Sequence, residues 1–278
     1  MRPGSLFVLF FQAIISFLFL CGCPVEEKFI FYPSPKIEQT PADVGLPFDD
    51  IFFTSDDGVR LNGWFVPHPG AGLTLLWFHG NAGNISHRVE NIRLLHDKVE
   101  INIFIFDYRG YGRSAGKVSE DGTYRDGEAA LEYLRSRGDV DPEKIVFFGR
   151  SLGAAVAAEV AARQRCLALV LESPFASVRE MARVAFPFLP IGPFLRTRYD
   201  TVEKIKKVRV PLLVLHGDQD EIVPFAQGRK VFEAAPEPKE FYTIRGAHHN
   251  DTYMVGGDAY FAALRGFMSR AGGLKPPA

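Results

Sequence analysis

Cysteine is scarce in this chain, with three residues among 278, at positions 21, 23 and 166. Two of them fall near the start and no cluster of histidines accompanies any of them, so neither a disulfide framework nor a structural zinc site is expected. A surplus of one charge is absent too. With 32 basic and 33 acidic residues the net charge is −1, which leaves no electrostatic footprint for nucleic acid. Internal repeats and low-complexity tracts are missing. So are G-x-x-x-x-G-K-[ST] and a G-x-G-x-x-G following a strand, which removes the common phosphate-cradling loops.

What the chain does have begins at its N-terminus. Residues 6–20 form an apolar run interrupted only by Gln12 and Ser16, and it ends in Leu20-Cys21-Gly22-Cys23. This reads as a signal peptide. Its ending resembles a bacterial lipobox, which would make Cys23 the lipidated first residue of the mature protein. An uncleaved membrane anchor is the rival reading, because the run is near the minimum that spans a bilayer; cleavage of an ordinary export signal is the third. Residues 24–47 are Pro-rich and read as an extended arm. The partner expected for this segment is a membrane, through residues 1–23.

From residue 48 to 272 the composition is that of one folded domain, since 47% of the chain is hydrophobic. Asp49–Thr54 and Val59–Val66 flank Asp56-Asp57-Gly58, a hairpin signal. Short continuous apolar runs follow at 73–78, 101–106, 145–148, 167–171 and 211–215, with a last strand near 240–244. Helical patterns separate them at about 86–98, 121–137, 152–164, 225–235 and 257–270. Strands alternating with helices predict an α/β class and a mostly parallel, eight-stranded sheet covered on both faces. Residues 174–208 break the rhythm, with many Phe, Leu and Ile mixed with Pro187, Pro190 and Pro193, and predict a small helical cap inserted over the strand ends. Cys166 reads as a buried apolar residue. His68 and His96 read as surface positions.

Ligands in such sheets bind at the carboxyl ends of the strands, and the chemistry-bearing residues sit there. Gly149-Arg150-Ser151-Leu152-Gly153 lies between an apolar run and an alanine-rich helix. A serine on a sharp strand-to-helix turn needs neighbours without a Cβ. A serine hydroxyl is a weak nucleophile, so it also needs a base, and the base an acid to fix its tautomer. Asp220 and Asp218 compete for the acid in His216-Gly217-Asp218-Gln219-Asp220, with Glu172 a distant third. His249 and His248 follow the last strand and cannot both face Ser151; His249 is the better candidate. His79 and His216 each precede a glycine at a strand end and are expected to brace their loops. His79-Gly80-Asn81-Ala82-Gly83-Asn84 is suited to supply an oxyanion-hole N–H from Asn81, paired with the N–H of Leu152. No metal or cofactor is implied.

These motifs together resemble the α/β-hydrolase superfamily over about residues 48–270. The closer resemblance is to a group of serine hydrolases marked by H-G-N-A-G-N at His79–Asn84, D-Y-R-G-Y-G-x-S at Asp107–Ser114 and G-R-S-L-G at Gly149–Gly153. It extends through S-P-F at Ser173–Phe175, H-G-x-x-D-x-x-V-P at His216–Pro224 and H-N-D at His249–Asp251. That group includes membrane-associated depalmitoylases and bacterial lysophospholipase-like or serine aminopeptidase-like hydrolases. The resemblance implies Ser151, Asp220 and His249 as the triad, and His248 stands where a glycine is common. It implies hydrolysis of carboxylic esters or thioesters. A peptidase with the same triad, or a non-catalytic surface lipoprotein that keeps the fold, are the alternatives. Asp107–Gly110 is expected to shape its loop without a catalytic role.

Overall fold

The computed structural model describes residues 27, 30–188 and 194–273. Residues 1–23, including the expected lipidation site Cys23, lie outside the described residues, as do 24–26, 28–29, 189–193 and 274–278.

The apolar runs become eight strands: β1 (Asp49–Thr54), β2 (Arg60–Val66), β3 (Thr74–Phe78), β4 (Asn102–Asp107), β5 (Ile145–Arg150), β6 (Ala168–Glu172), β7 (Leu212–Gly217) and β8 (Lys239–Ile244). Their order across the sheet is β8-β7-β6-β5-β3-β4-β2-β1. β1 and β2 form the antiparallel hairpin, β2 runs antiparallel to β4, and the pairings from β4 to β8 are parallel. A central parallel strand is buried on both faces, which is why these segments are continuously apolar. Alternate residues feed two cores. Leu76, Phe78, Phe104, Phe106 and Phe147 face one layer; Leu75, Trp77, Ile103, Ile105 and Phe148 face the other.

Helices cover both sides: α1 (Val89–Val99), α2 (Glu120–Ser136), α3 (Leu152–Arg163), α4 (Val178–Ala185), α5 (Thr201–Ile205), α6 (Phe225–Ala234) and α7 (Thr252–Ala271). α7 starts five residues earlier than its sequence pattern indicates. It bends where Gly257 takes φ 50° and ψ −144°, so the period breaks at Gly256-Gly257 and hides the first turn. His96 is buried, contrary to its reading as a surface residue. It shares the inward stripe of α1 with Val89, Ile92 and Val99, its Nε2 reaches the Pro67 carbonyl at 3.2 Å, and its ring lies edge-on to His68. Cys166 is half-buried among apolar side chains, and burial pushes its thiol up to about 12.

The stretch 174–208 divides into two parts. α4 carries exposed apolar side chains at its C-terminal end, with Val184, Phe186 and Phe188 open to solvent. α5, in contrast, packs onto α3: Thr201 and Ile205 are fully buried and Lys204 pairs with Glu159 of α3. The last third of the expected cap therefore belongs to the body of the domain. Among the described residues no helix is long and apolar enough to cross a membrane.

The arm from residue 30 runs along the carboxyl edge of the sheet. Tyr32–Pro33 pairs in parallel with Ala82–Gly83, and a single 3-10 turn covers Pro41–Val44 before the chain enters β1.

Candidate active site

The turn between β5 and α3 places Ser151 at φ 53° and ψ −116°, a region that L side chains rarely adopt. The turn closes because both flanking glycines lack a Cβ. One on Gly153 would lie 2.0 Å from the Phe78 carbonyl oxygen, and one on Gly149 2.5 Å from the Gly153 carbonyl oxygen. Ser151 N–H donates to the Glu172 carbonyl at 2.9 Å, tying the turn to the end of β6. The strained serine is thereby raised above the strand ends with its side chain partly exposed.

The structure brings Ser151, His249 and Asp220 together. His249 Nε2 lies 3.1 Å from Ser151 Oγ, and His249 Nδ1 donates to Asp220 Oδ2 at 2.8 Å. That donation assigns the ring proton to Nδ1 and leaves Nε2 as the acceptor facing the hydroxyl. Asp220 is buried, which alone would raise its pKa. Hydrogen bonds from His216 and His249, the charge of His249 and the Val223 N–H outweigh burial, and the carboxyl is held well below the usual carboxylate range. Its other oxygen accepts from the Ile222 and Val223 N–H groups at 3.0 and 2.7 Å.

The competing candidates go elsewhere. Asp218 is exposed and accepts from Gly246 N–H at 2.7 Å, capping the loop after β8. His248 is exposed and pairs through Nδ1 with Glu221 at 3.0 Å. His216 braces its loop through Nε2 to the Val223 carbonyl at 2.8 Å and also lies 3.3 Å from Asp220 Oδ2. His79 donates from Nδ1 to the Gly80 carbonyl at 2.7 Å, beneath Tyr108 and beside Asp107 at 3.4 Å. Asp107 in turn accepts the Ile85 N–H at 3.0 Å. The loop so braced passes over the serine: a Cβ built on Gly80 would sit 3.6 Å from Ser151 Cβ. Asn81 follows directly, and Leu152 is the first residue of α3, where free N–H groups and the helix dipole favour negative charge.

Sequence reasoning missed one buried network. Arg150 and Glu172 are register partners on β5 and β6. Arg150 Nε donates to Glu172 Oε1 at 2.9 Å, and its Nη2 donates to the His249 carbonyl at 2.5 Å and to Asn250 Oδ1 at 3.3 Å. Thr252 Oγ1 donates to Glu172 at 2.7 Å, and the Tyr260 hydroxyl donates to its other oxygen. The group that carries Ser151 and the loop that carries His249 are therefore fastened by one guanidinium. A second charged knot, Arg109 with Asp126 and Asp57, holds the loop after β4 to α2 and the β1–β2 turn and touches none of these residues. Among the described residues no group of His, Cys, Asp or Glu is arranged to hold a metal ion.

The model of the prolyl oligopeptidase family matches residues 101–250, more than half of the chain. Protein Rv2307c of Mycobacterium tuberculosis is 39% identical over 88% of this chain and 87% of its own length. The α/β-hydrolase domain-containing protein WAV2 of Arabidopsis thaliana is 36% identical over 88% of each chain. The chain belongs to the prolyl oligopeptidase family of α/β-hydrolases. Its fold is shared with the Pyrococcus furiosus esterase Pf2001 at a TM-score of 0.73, with 22% identity over 86% of this chain and 98% of that one. Membership makes the protein a hydrolase, with the mostly parallel sheet and two helical layers described above.

Proposed function

We propose that this α/β-hydrolase is a serine hydrolase that cleaves carboxylic esters or thioesters through an acyl-enzyme. The observation that carries the reading is the unbroken hydrogen-bonded line from Ser151 Oγ through His249 to Asp220. His249 Nε2 removes the Ser151 proton as Oγ attacks the acyl carbon. The tetrahedral anion forms beside the N–H groups of Asn81 and Leu152. Its collapse breaks the bond to the alcohol or thiol, which takes the proton from His249 and departs, leaving the acyl group on Oγ. Water then attacks with His249 again as base, and the carboxylic acid and free serine are restored. Asp220, ionised throughout, orients the ring and offsets its transient charge.

The acyl group is assigned to the apolar surface of the cap region, where Val184, Phe186 and Phe188 are exposed; each CH₂ buried against it is worth about 0.8 kcal/mol. A p-nitrophenyl ester series from two to about sixteen carbons tests the class, because tighter binding of longer acyl groups follows from that increment. Turnover of the short and middle esters is expected, and no turnover of any ester would refute the reading. The family's name favours a second reading, a peptidase. Aminoacyl-arylamides assayed beside the esters separate the two, and amide turnover exceeding ester turnover would favour the peptidase. The apolar run ending at Cys23 supports a lipid tether at a membrane surface. A diacylglycerol-modified Cys23 at the mature N-terminus is the expected mass, and an unmodified N-terminus beyond Cys23 or an intact Met1 would overturn it.

A further inference from the structure

The oxyanion loop is braced by His79 at its start and by Arg88, whose Nη2 donates to the Ala82 carbonyl at 2.6 Å, but residues 81–83 between them form only a short turn. Asn81 is half-buried, Ala82 is exposed, and Gly83 sits at φ 80°. Such a segment keeps much backbone freedom unless something outside it removes that freedom. A backbone N–H contributes to an oxyanion site irrespective of its side chain, so the side chain at position 81 needs a separate account.

That side chain is gripped from outside its own loop. Asn81 Oδ1 accepts from the Tyr32 N–H at 3.3 Å and from the Tyr111 hydroxyl at 2.9 Å, while Nδ2 donates to the Ile30 carbonyl. The residues that follow are stitched to the same arm. Ser34 N–H donates to the Gly83 carbonyl at 3.0 Å, and Asn84 Nδ2 donates to the carbonyls of Ser34 and Lys36 at 2.9 and 2.7 Å. Gly112 N–H donates to the Ser34 carbonyl at 3.0 Å, which closes the arm onto the loop that carries Tyr111. Phe31 is buried with its ring edge-on to Tyr199, so the arm is itself anchored in the core.

We propose that the N-terminal arm, through Ile30–Ser34, together with Tyr111, positions the oxyanion donor: it fixes Asn81 by its side-chain amide so that the Asn81 N–H is aimed at the anion formed on the Ser151 adduct. The arm is in this sense part of the active site, although it lies about fifty residues upstream of the loop it holds. The inference rests on the serine-hydrolase reading. Tyr32 and Tyr111 are positioning residues, because they act only through Asn81.

The test uses the full-length chain. Tyr32→Pro deletes the N–H that Asn81 Oδ1 accepts, Tyr32→Ala is its reference with the N–H retained, and Tyr111→Phe deletes the other donor. Each is assayed for kcat and KM on p-nitrophenyl butyrate and for inhibition by an alkylboronic acid, which forms a tetrahedral anion on a serine Oγ. Tyr32→Pro is expected to lose more activity than Tyr32→Ala. The Tyr32→Pro/Tyr111→Phe double variant is expected to lose about 10- to 100-fold in kcat, because a loosened donor forfeits part of what a deleted one does. Its KM should stay within about threefold and its boronate affinity fall in parallel with kcat/KM, the pattern of lost transition-state stabilisation. On an Asn81→Ala background, Tyr111→Phe should add little further loss, since the group it serves is gone. Wild-type kcat in the double variant, or a loss confined to KM with boronate affinity intact, overturns the proposal. If Tyr32→Pro fails to fold, the Asn81→Ala/Tyr111→Phe cycle decides alone, and additive losses there overturn it. A wild-type protein with no hydrolysis and no fluorophosphonate adduct would refute the serine-hydrolase reading and the proposal together; an active wild type with an indifferent double variant refutes only the role of the arm.

Discussion

Replacing Arg150 with Met should separate what holds this site in place from what does its chemistry. The guanidinium links Glu172 to the carbonyl of His249. Both Arg150 and Glu172 are buried, and Glu172 is fully so. Removing one partner of a buried ion pair costs about 3–5 kcal/mol. Glu172 keeps two hydroxyl donors, Thr252 and Tyr260, so the lower end applies. For a domain of this length each kcal/mol shifts Tm by about 2–4 °C, which gives a fall of about 6–12 °C by calorimetry. The His249 carbonyl also loses its donor, and a displacement of the imidazole by about 1 Å lowers kcat on a short p-nitrophenyl ester by as much as about 100-fold. The Arg150→Met/Glu172→Gln double variant removes the uncompensated charge and should recover most of the lost Tm without recovering kcat. A single variant with Tm within about 2 °C of wild type, well below the shift expected for a broken buried pair, would refute the reasoning. So would a double variant whose kcat returned together with its Tm.

The hydrogen-bonded line from Ser151 through His249 to Asp220 sets further outcomes. His249→Ala should lower kcat by about six orders of magnitude, as loss of a base in such a unit does, whereas His248→Ala should leave kcat near wild type, its partner being the exposed Glu221. Asp220→Asn should cost about 10⁴ in kcat on the same ester, through the wrong imidazole tautomer. Its folded pKa lies below its unfolded value, so Asp220 contributes stability above about pH 4 that wild type loses as the pH falls through the folded value. In a Tm-versus-pH series the Asn variant should lack that part of the acid decline.

The strands were legible because a parallel sheet buried on both faces needs uninterrupted apolar runs, and Leu75-Leu76-Trp77-Phe78 or Val146-Phe147-Phe148 have no other use. Ser151 was legible because its turn demands the glycines on either side. His96 was misread although its signal was present: it falls at the helical spacing of Val89, Ile92 and Val99, and a buried imidazole is tolerated there because Nε2 meets the Pro67 carbonyl. The Arg150–Glu172 pair becomes visible only when β5 and β6 are known to be neighbours in register. The grip on Asn81 was beyond local reading, since it depends on residues 30–34 folding back across the sheet edge to a loop far along the chain.

The central claim, a nucleophile at Ser151 that carries an acyl group, is tested most directly by intact-protein mass spectrometry after exposure to a fluorophosphonate, with the adduct mapped by peptide sequencing. One phosphonyl adduct on Ser151 is predicted in the wild type, and none in Ser151→Ala, which should also lose about six orders of magnitude in esterase rate. An adduct mapped to another residue, or a Ser151→Ala variant that hydrolyses esters at the wild-type rate, would contradict the account.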